Sequence, residues 1–158
     1  MPVILPEFEI NSLLMEPKIL PANWHAAINL RAKRGHYERQ LNVTGKNSNR
    51  FLLVLRKSMH NEFDFSVIIA VKLPNSNRIF RLRRYNGLSH QHTNRLEGQT
   101  FYDYHIHLAT ERYQELGMHE DSFATPTNRY VNYEGAINCA ISDVGFVTPH
   151  GTQLNLFN

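Results

Sequence analysis

Cysteine is nearly absent from this chain. The 158 residues hold one, Cys139, which excludes an intrachain disulfide and any multi-cysteine zinc site. Set in the run Ala136-Ile137-Asn138-Cys139-Ala140-Ile141, it reads as a small buried hydrophobe, because no sequence neighbour would lower its pKa. No stretch approaches the roughly 18 apolar residues of a membrane span. The opening Met1-Pro2-Val3-Ile4-Leu5-Pro6-Glu7 also lacks the basic and long apolar regions of a signal peptide. The expected location is the cytoplasm, without membrane association. Internal repeats and low-complexity linkers are missing as well, so the length argues for one domain over residues 1–147 and a loose tail over 148–158.

What is present is an ordinary globular composition, 42% hydrophobic and 20% charged, sufficient for a packed core. The net charge of +3 conceals an uneven distribution: residues 31–84 carry thirteen Lys/Arg against three acids, and the segments on either side are net acidic. Such a block can meet RNA or an acidic protein partner, or it can be an outer face neutralised by the chain's own acids. A homodimer is compatible with the sequence but leaves no mark in it.

Periodicity predicts an α+β fold. Pro21 to Gly35 has helical spacing at Trp24, Ala27, Ile28 and Ala32 and a terminal glycine, although Ala26 to Leu30 could also open a strand. Alternation from His36 to Val43, the apolar run Phe51–Leu55, the alternation Phe63–Val71 and the segment Arg78–Arg84 read as strands separated by turns. In the last of these Phe80 and Leu82 share one face, and Arg81 and Arg83 form a basic row on the other. Thr110 caps a short helix over Glu111–Leu116 ahead of Gly117, and a final helix runs from about Tyr133 to Val144 and stops at Gly145. The expected architecture is an antiparallel meander of about five or six strands, with helices near the N-terminus and at the C-terminal end.

The unusual chemistry is two His-x-His pairs, His90/His92 and His105/His107. In extended chain each pair shares a face. A hairpin closed by a two-residue loop at Gly98-Gln99 sets His92 opposite His105 and His90 opposite His107, with all four rings on one side; a three-residue loop separates the pairs. Imidazoles accept and donate protons near neutral pH and ligate borderline metals. Two functional readings follow. The histidines, with Asp103 or Glu111, bind Zn, Mn or Fe and leave positions open for substrate. Alternatively, all four act as general acids and bases in phosphodiester cleavage, with Arg81, Arg83 and Arg84 stabilising phosphate charge and Tyr85, Tyr102 or Tyr104 binding a base or a proton.

Gly98, His105-Ile106-His107 and Glu111 approximate the first cupin motif, but Gly98 stands one residue too far from His105 and no second motif follows. The strings Asp64-Phe65-Ser66, Arg84-Tyr85-Asn86-Gly87 followed by His90-x-His92-x-Asn94, and His105-Ile106-His107-x-Ala109-Thr110-Glu111-Arg112-Tyr113-Gln114 resemble a prokaryotic domain-of-unknown-function family over roughly residues 35–145. That resemblance implies domain limits and no settled activity. Arg84-Tyr85-Asn86-Gly87 and His105-Ile106-His107 are more loosely similar to histidine-rich, ribonuclease-like toxins of toxin-antitoxin pairs, with Asn86 where those carry an acid. This similarity implies a prokaryotic or phage-encoded toxin or defence protein that acts on RNA through a curved antiparallel sheet. The alternative from another class is a non-catalytic binding or inhibitor protein.

Overall fold

The structure, a computed structural model, describes residues 3–147; the tail expected over 148–158 lies outside the described residues. Four helices, α1 (Glu7–Met15), α2 (Trp24–Ala27), α3 (Glu111–Glu115) and α4 (Tyr133–Asp143), accompany a nine-stranded sheet. The meander consists of β3 (His36–Gly45), β4 (Arg50–Ser58), β5 (Phe65–Lys72) and β6 (Ile79–Asn86), paired antiparallel in sequence order. Beyond β6 the sheet continues through β9 (His105–Leu108) and β10 (Phe123–Pro126). At the other edge β1 (Lys18–Ile19) joins β3 and pairs parallel with β11 (Phe146–Val147), and β2 (Arg31–Ala32) also pairs with β3. A separate ribbon of β7 (His92–Asn94) and β8 (Gln99–Phe101) completes the fold. The α+β class holds, but the strands exceed the expected five or six, because strands of two to four residues are too short to show a period of their own.

The predicted helix over 21–35 shrinks to the single turn α2. Gly35, at φ +74, does not end a helix. It takes the left-handed position of a tight hairpin between β2 and β3, closed by Lys33 N–H donating to the His36 carbonyl at 2.7 Å. Conversely, α1 was not anticipated. Helix α3 follows its sequence signal, with Thr110 Oγ1 accepting from Tyr113 N, and α4 follows its apolar spacing and starts at a cap found only in the structure, Asn132 Oδ1 accepting from Gly135 N. Cys139, expected to be buried, is half-buried on α4, with Sγ 3.6 Å from the Arg129 carbonyl.

The core fills one face of the sheet. Phe51, Leu53 and Leu55 of β4, Val67 and Ile69 of β5 and Phe80 and Leu82 of β6 are all buried there, beneath Ala136, Ile137, Ala140 and Ile141 of α4. Lys18 is the polar exception, at 0% exposure. Its ammonium donates to the carbonyls of Leu13, Leu14, Glu16 and Val144 at 2.7–3.1 Å and so ties the C-terminal ends of α1 and α4 together. Lys18→Met should cost about 2–4 kcal/mol of stability, because four buried or half-buried carbonyls lose their donor. Urea unfolding measures this; an unchanged midpoint would mean that the carbonyls find other partners.

A β-bulge on β6 decides where the arginines go. Ile69 pairs with Arg83 and Ala70 with Arg81, so Leu82 is the extra residue. The buried positions then pass from Phe80 and Leu82 to Tyr85. The expected Arg81/Arg83 row is therefore split. Arg81 and Arg84 both pair with Asp121, at 3.3 and 3.2 Å, whereas Arg83 turns to Asp143 at 3.7 Å.

Candidate metal centre

Strand alternation sends Ile106 into the core and turns His105 and His107 to the opposite face. Their rings are 5.0 Å apart. Register places Asn86 and Pro126 beside His105, and Arg84 and Ala124 beside His107. The third ring arrives by a route other than the expected hairpin. His92 pairs with Phe101, across a four-residue loop from Arg95 to Gly98, and not with His105. After Phe101 the chain leaves the ribbon through residues 102–104 and enters the main sheet at β9. The ribbon then lays His92 over the strand pair, with ring centroids 5.4 Å from His105 and 4.8 Å from His107. His90, on an exposed bend, stands edge-on to His105 at 5.6 Å.

One nitrogen from each of His92, His105 and His107 lies within 4.8 Å of the other two. Hydrogen bonds fix which nitrogens can ligate. His105 Nδ1 lies 2.8 Å from the Asp103 carbonyl and His107 Nδ1 2.7 Å from the Asp121 carbonyl. A carbonyl only accepts, so both rings carry their proton on Nδ1 and keep the lone pair on Nε2. His107 Nε2 is buried without any hydrogen-bond partner. His105 Nε2 receives only a long contact from Asn86 Nδ2, at 3.4 Å. His92 is oriented by Asn94, whose amide spans the Ala124 backbone: Nδ2 donates to its carbonyl at 2.7 Å and Oδ1 accepts from its N–H at 2.9 Å. With Oδ1 so assigned, His92 Nε2 must donate to it, at 2.8 Å, leaving the lone pair on Nδ1. Three imidazoles, each held by its N–H, and one buried lone pair without a partner make a donor set suited to a borderline divalent ion.

Burial also fixes their charge. It pushes the His105 imidazole down to about 4 and His107 to about 2, with the Arg84 guanidinium adding to the shift at His107. Both rings are therefore neutral at physiological pH, the ligating form. Asn94 is fully buried and belongs to this machinery although its own amide is engaged by the Ala124 backbone and His92. Asn94→Ala should weaken zinc binding by about 10–100-fold, read by competition with a chromophoric chelator; unchanged affinity would reduce Asn94 to a ribbon anchor.

A cavity of about 670 Å³ opens onto the centre, lined by His90, His92 and His107 with Arg78, Arg84 and Arg95. Val3, Ile4 and Met118 line the same cavity. The other sequence candidates lie elsewhere or act differently. Tyr85 is buried in the core and donates to Asp143 Oδ2 at 2.6 Å. Tyr104 packs against Phe65 and Tyr130 and donates to the Val131 carbonyl, and Tyr102 is exposed. Neither Asp103 nor Glu111 joins the three ligands: Asp103 contributes its backbone carbonyl to His105, and Glu111 exchanges backbone-to-carboxylate bonds with Glu7. Sequence reading missed Asn86, Asn94 and Asp121. Only Asn94 left a signal, its i+2 spacing from His92 in an extended segment.

The chain matches no family model, no curated protein and no solved structure. No helix among the described residues is long and apolar enough to cross a membrane.

Proposed function

We propose that this chain is a metal-dependent hydrolase of phosphodiester bonds, with RNA as its substrate, built on the centre of His92, His105 and His107. The supporting observation is the His107 Nε2 lone pair, buried without a partner among two other imidazoles whose protons are held on the far side of the ring. A polar atom in that position is costly unless something fills the space between the rings. His92, His105 and His107 would hold a divalent ion without an anionic ligand, and such an ion would supply Lewis acidity and a water acidified to a pKa of about 7. Arg95 adds positive charge at the cavity without an ion-pair partner among the described residues, beside Arg84 and Arg78, which are paired with Asp121 and Glu120; the Arg95 charge favours a substrate bearing phosphate.

The four histidines divide their work on this reading. His92, His105 and His107 hold the ion, because burial keeps the latter two from carrying protons. His90 is exposed, beside the centre, with Nδ1 3.2 Å from the Ser89 hydroxyl. It lines the cavity without joining the three ligands and is placed to reach a substrate there as general acid or base. Arg84 and Arg95 bind phosphate.

Cleavage of mixed RNA by purified protein should stop in EDTA and return with zinc, manganese or iron(II). RNA left intact under all conditions would sink the reading, and cleavage indifferent to EDTA would return the histidines to metal-free acid-base work. Toxin or defence use is a further proposal, resting on the sequence resemblance. The rival is a binding protein whose basic segment meets an acidic partner. In that case reversing Arg84 and Arg95 abolishes function while His92→Ala leaves it intact.

A further inference from the structure

We propose that the sheet face beside the histidine centre carries a second phosphate-binding subsite, around Arg34 and Arg56, so that the substrate is a single-stranded nucleic acid lying across the strands. This names the substrate class of the proposed hydrolase and rests on that reading for its chemistry, but not on the metal. Arg56 of β4 pairs with Ser66, Ser66 with Asn86 and Asn86 with His105. Four polar residues thus form one row on the face away from the core, and three strand spacings, about 14 Å, separate Arg56 from the ligand His105. Hydrogen bonds run along it: Ser66 Oγ donates to Asn86 Oδ1 at 2.8 Å, and Asn86 Nδ2 reaches His105 Nε2 at 3.4 Å.

At the far end of this row lies a second cavity, of about 350 Å³, lined by Arg34, His36, Arg56, Lys57, Ser58 and Ser66. Asp64 also lines it. Glu38 is already engaged by Lys33 at 2.8 Å and Arg56 at 3.3 Å. The Arg34 side chain has no hydrogen-bond or ion-pair partner among the described residues. The two cavities are neighbours: Ser89 touches Asp64 of the second at 3.4 Å, and His90, next in the chain, lines the first. Arg34 and Arg56 therefore stand at one end of a polar row and the histidine centre at the other, at a separation that a di- to tetranucleotide bridges and a mononucleotide does not. A groove that tracks a backbone with spaced cations is how proteins hold single strands. A small phosphate ester needs only the cavity at the histidines and leaves the second cluster without a task.

Fluorescence anisotropy with labelled 2′-O-methyl oligouridylates of one, two, four and eight nucleotides tests this on the whole chain. Affinity should climb by about tenfold or more between one and four nucleotides, as the second subsite is engaged through the same molecule, and then level off. Arg34→Glu with Arg56→Gln should return the tetranucleotide to the affinity of the mononucleotide and leave the mononucleotide unchanged. Arg34→Glu alone, at a side chain with no partner to lose, should show most of the effect even if the double variant folds poorly. Affinity independent of length, or tetranucleotide binding undiminished in a variant that melts like wild type, overturns the proposal. So does equal displacement by polyglutamate, which would assign the face to an acidic protein. Metal content is measured on the same samples. Length dependence in a protein that holds no metal supports the subsite and removes the metal centre, so the two ideas fail separately.

Discussion

His107→Ala should lose zinc affinity by about 100-fold or more while the sheet keeps its circular dichroism. Structural zinc sites of four ligands are worth about 10–16 kcal/mol, so one ligand accounts for roughly 3 kcal/mol, about two orders of magnitude in Kd. His107 is the sharpest position to remove, because its Nε2 has no other partner and its ring is held by the Asp121 carbonyl alone. Wild-type protein should melt at a higher temperature in zinc than in EDTA, since an ion that binds only the folded chain stabilises it in proportion to the logarithm of its concentration over Kd. In His107→Ala that increment should shrink, by up to about 2.7 kcal/mol for a 100-fold loss of affinity. His90→Ala should leave the zinc increment intact and reduce cleavage, because its ring borders the centre without joining it. Equal zinc-dependent melting in wild type and His107→Ala would reject the assignment of ligands.

The metal-free protein should be unusually sensitive to mild acid. In the folded chain His105 is pushed down to about 4 and His107 to about 2 by burial, whereas in the unfolded chain both titrate near 6.5. Below pH 6.5 the unfolded state binds two protons that the folded state refuses, so stability present above that pH is lost as pH falls. The loss continues until about pH 4 for His105 and about pH 2 for His107. Each ring contributes a slope approaching 1.4 kcal/mol per pH unit, half of that at pH 6.5 itself, so the pair removes about 3 kcal/mol between pH 6.5 and 5, a large part of the roughly 5–15 kcal/mol that holds a domain folded. Urea unfolding in EDTA at pH 7, 6 and 5 reads the slope, and His105→Gln should halve it. Zinc should carry the acid transition to lower pH. Stability that stays level across this range would mean that both rings remain open to solvent.

The strands of the meander and the helices α3 and α4 were legible because each has a local cause: alternation in β3 and β5, a capping side chain at Thr110, and the helical apolar spacing of α4 up to Gly145. Helix α1 was not, because Phe8 and Met15 face outward at 72% and 80% exposure and blur the amphipathic stripe that a reader looks for. The same-face pairing of His105 and His107 follows from strand geometry alone. Their union with His92 does not, because it depends on where a ribbon crosses a sheet, and the loop that sets the crossing closes at Arg95–Gly98 instead of Gly98-Gln99. The bulge at Leu82 was equally silent in the sequence, yet it sends Arg84 to the histidines and Arg83 away from them. The supports of the rings were illegible for another reason. Two are backbone carbonyls, of Asp103 and Asp121, and a carbonyl belongs to every residue.

The most direct measurement is zinc content after refolding in excess zinc and exhaustive dialysis, by plasma mass spectrometry, beside a variant with His92, His105 and His107 all changed to alanine. The account expects about one ion per wild-type chain, X-ray absorption showing imidazole nitrogens at about 2.0–2.1 Å, and no retained ion in the variant. Wild-type protein that retains no zinc, manganese or iron, or a triple variant that retains as much as wild type, would contradict it.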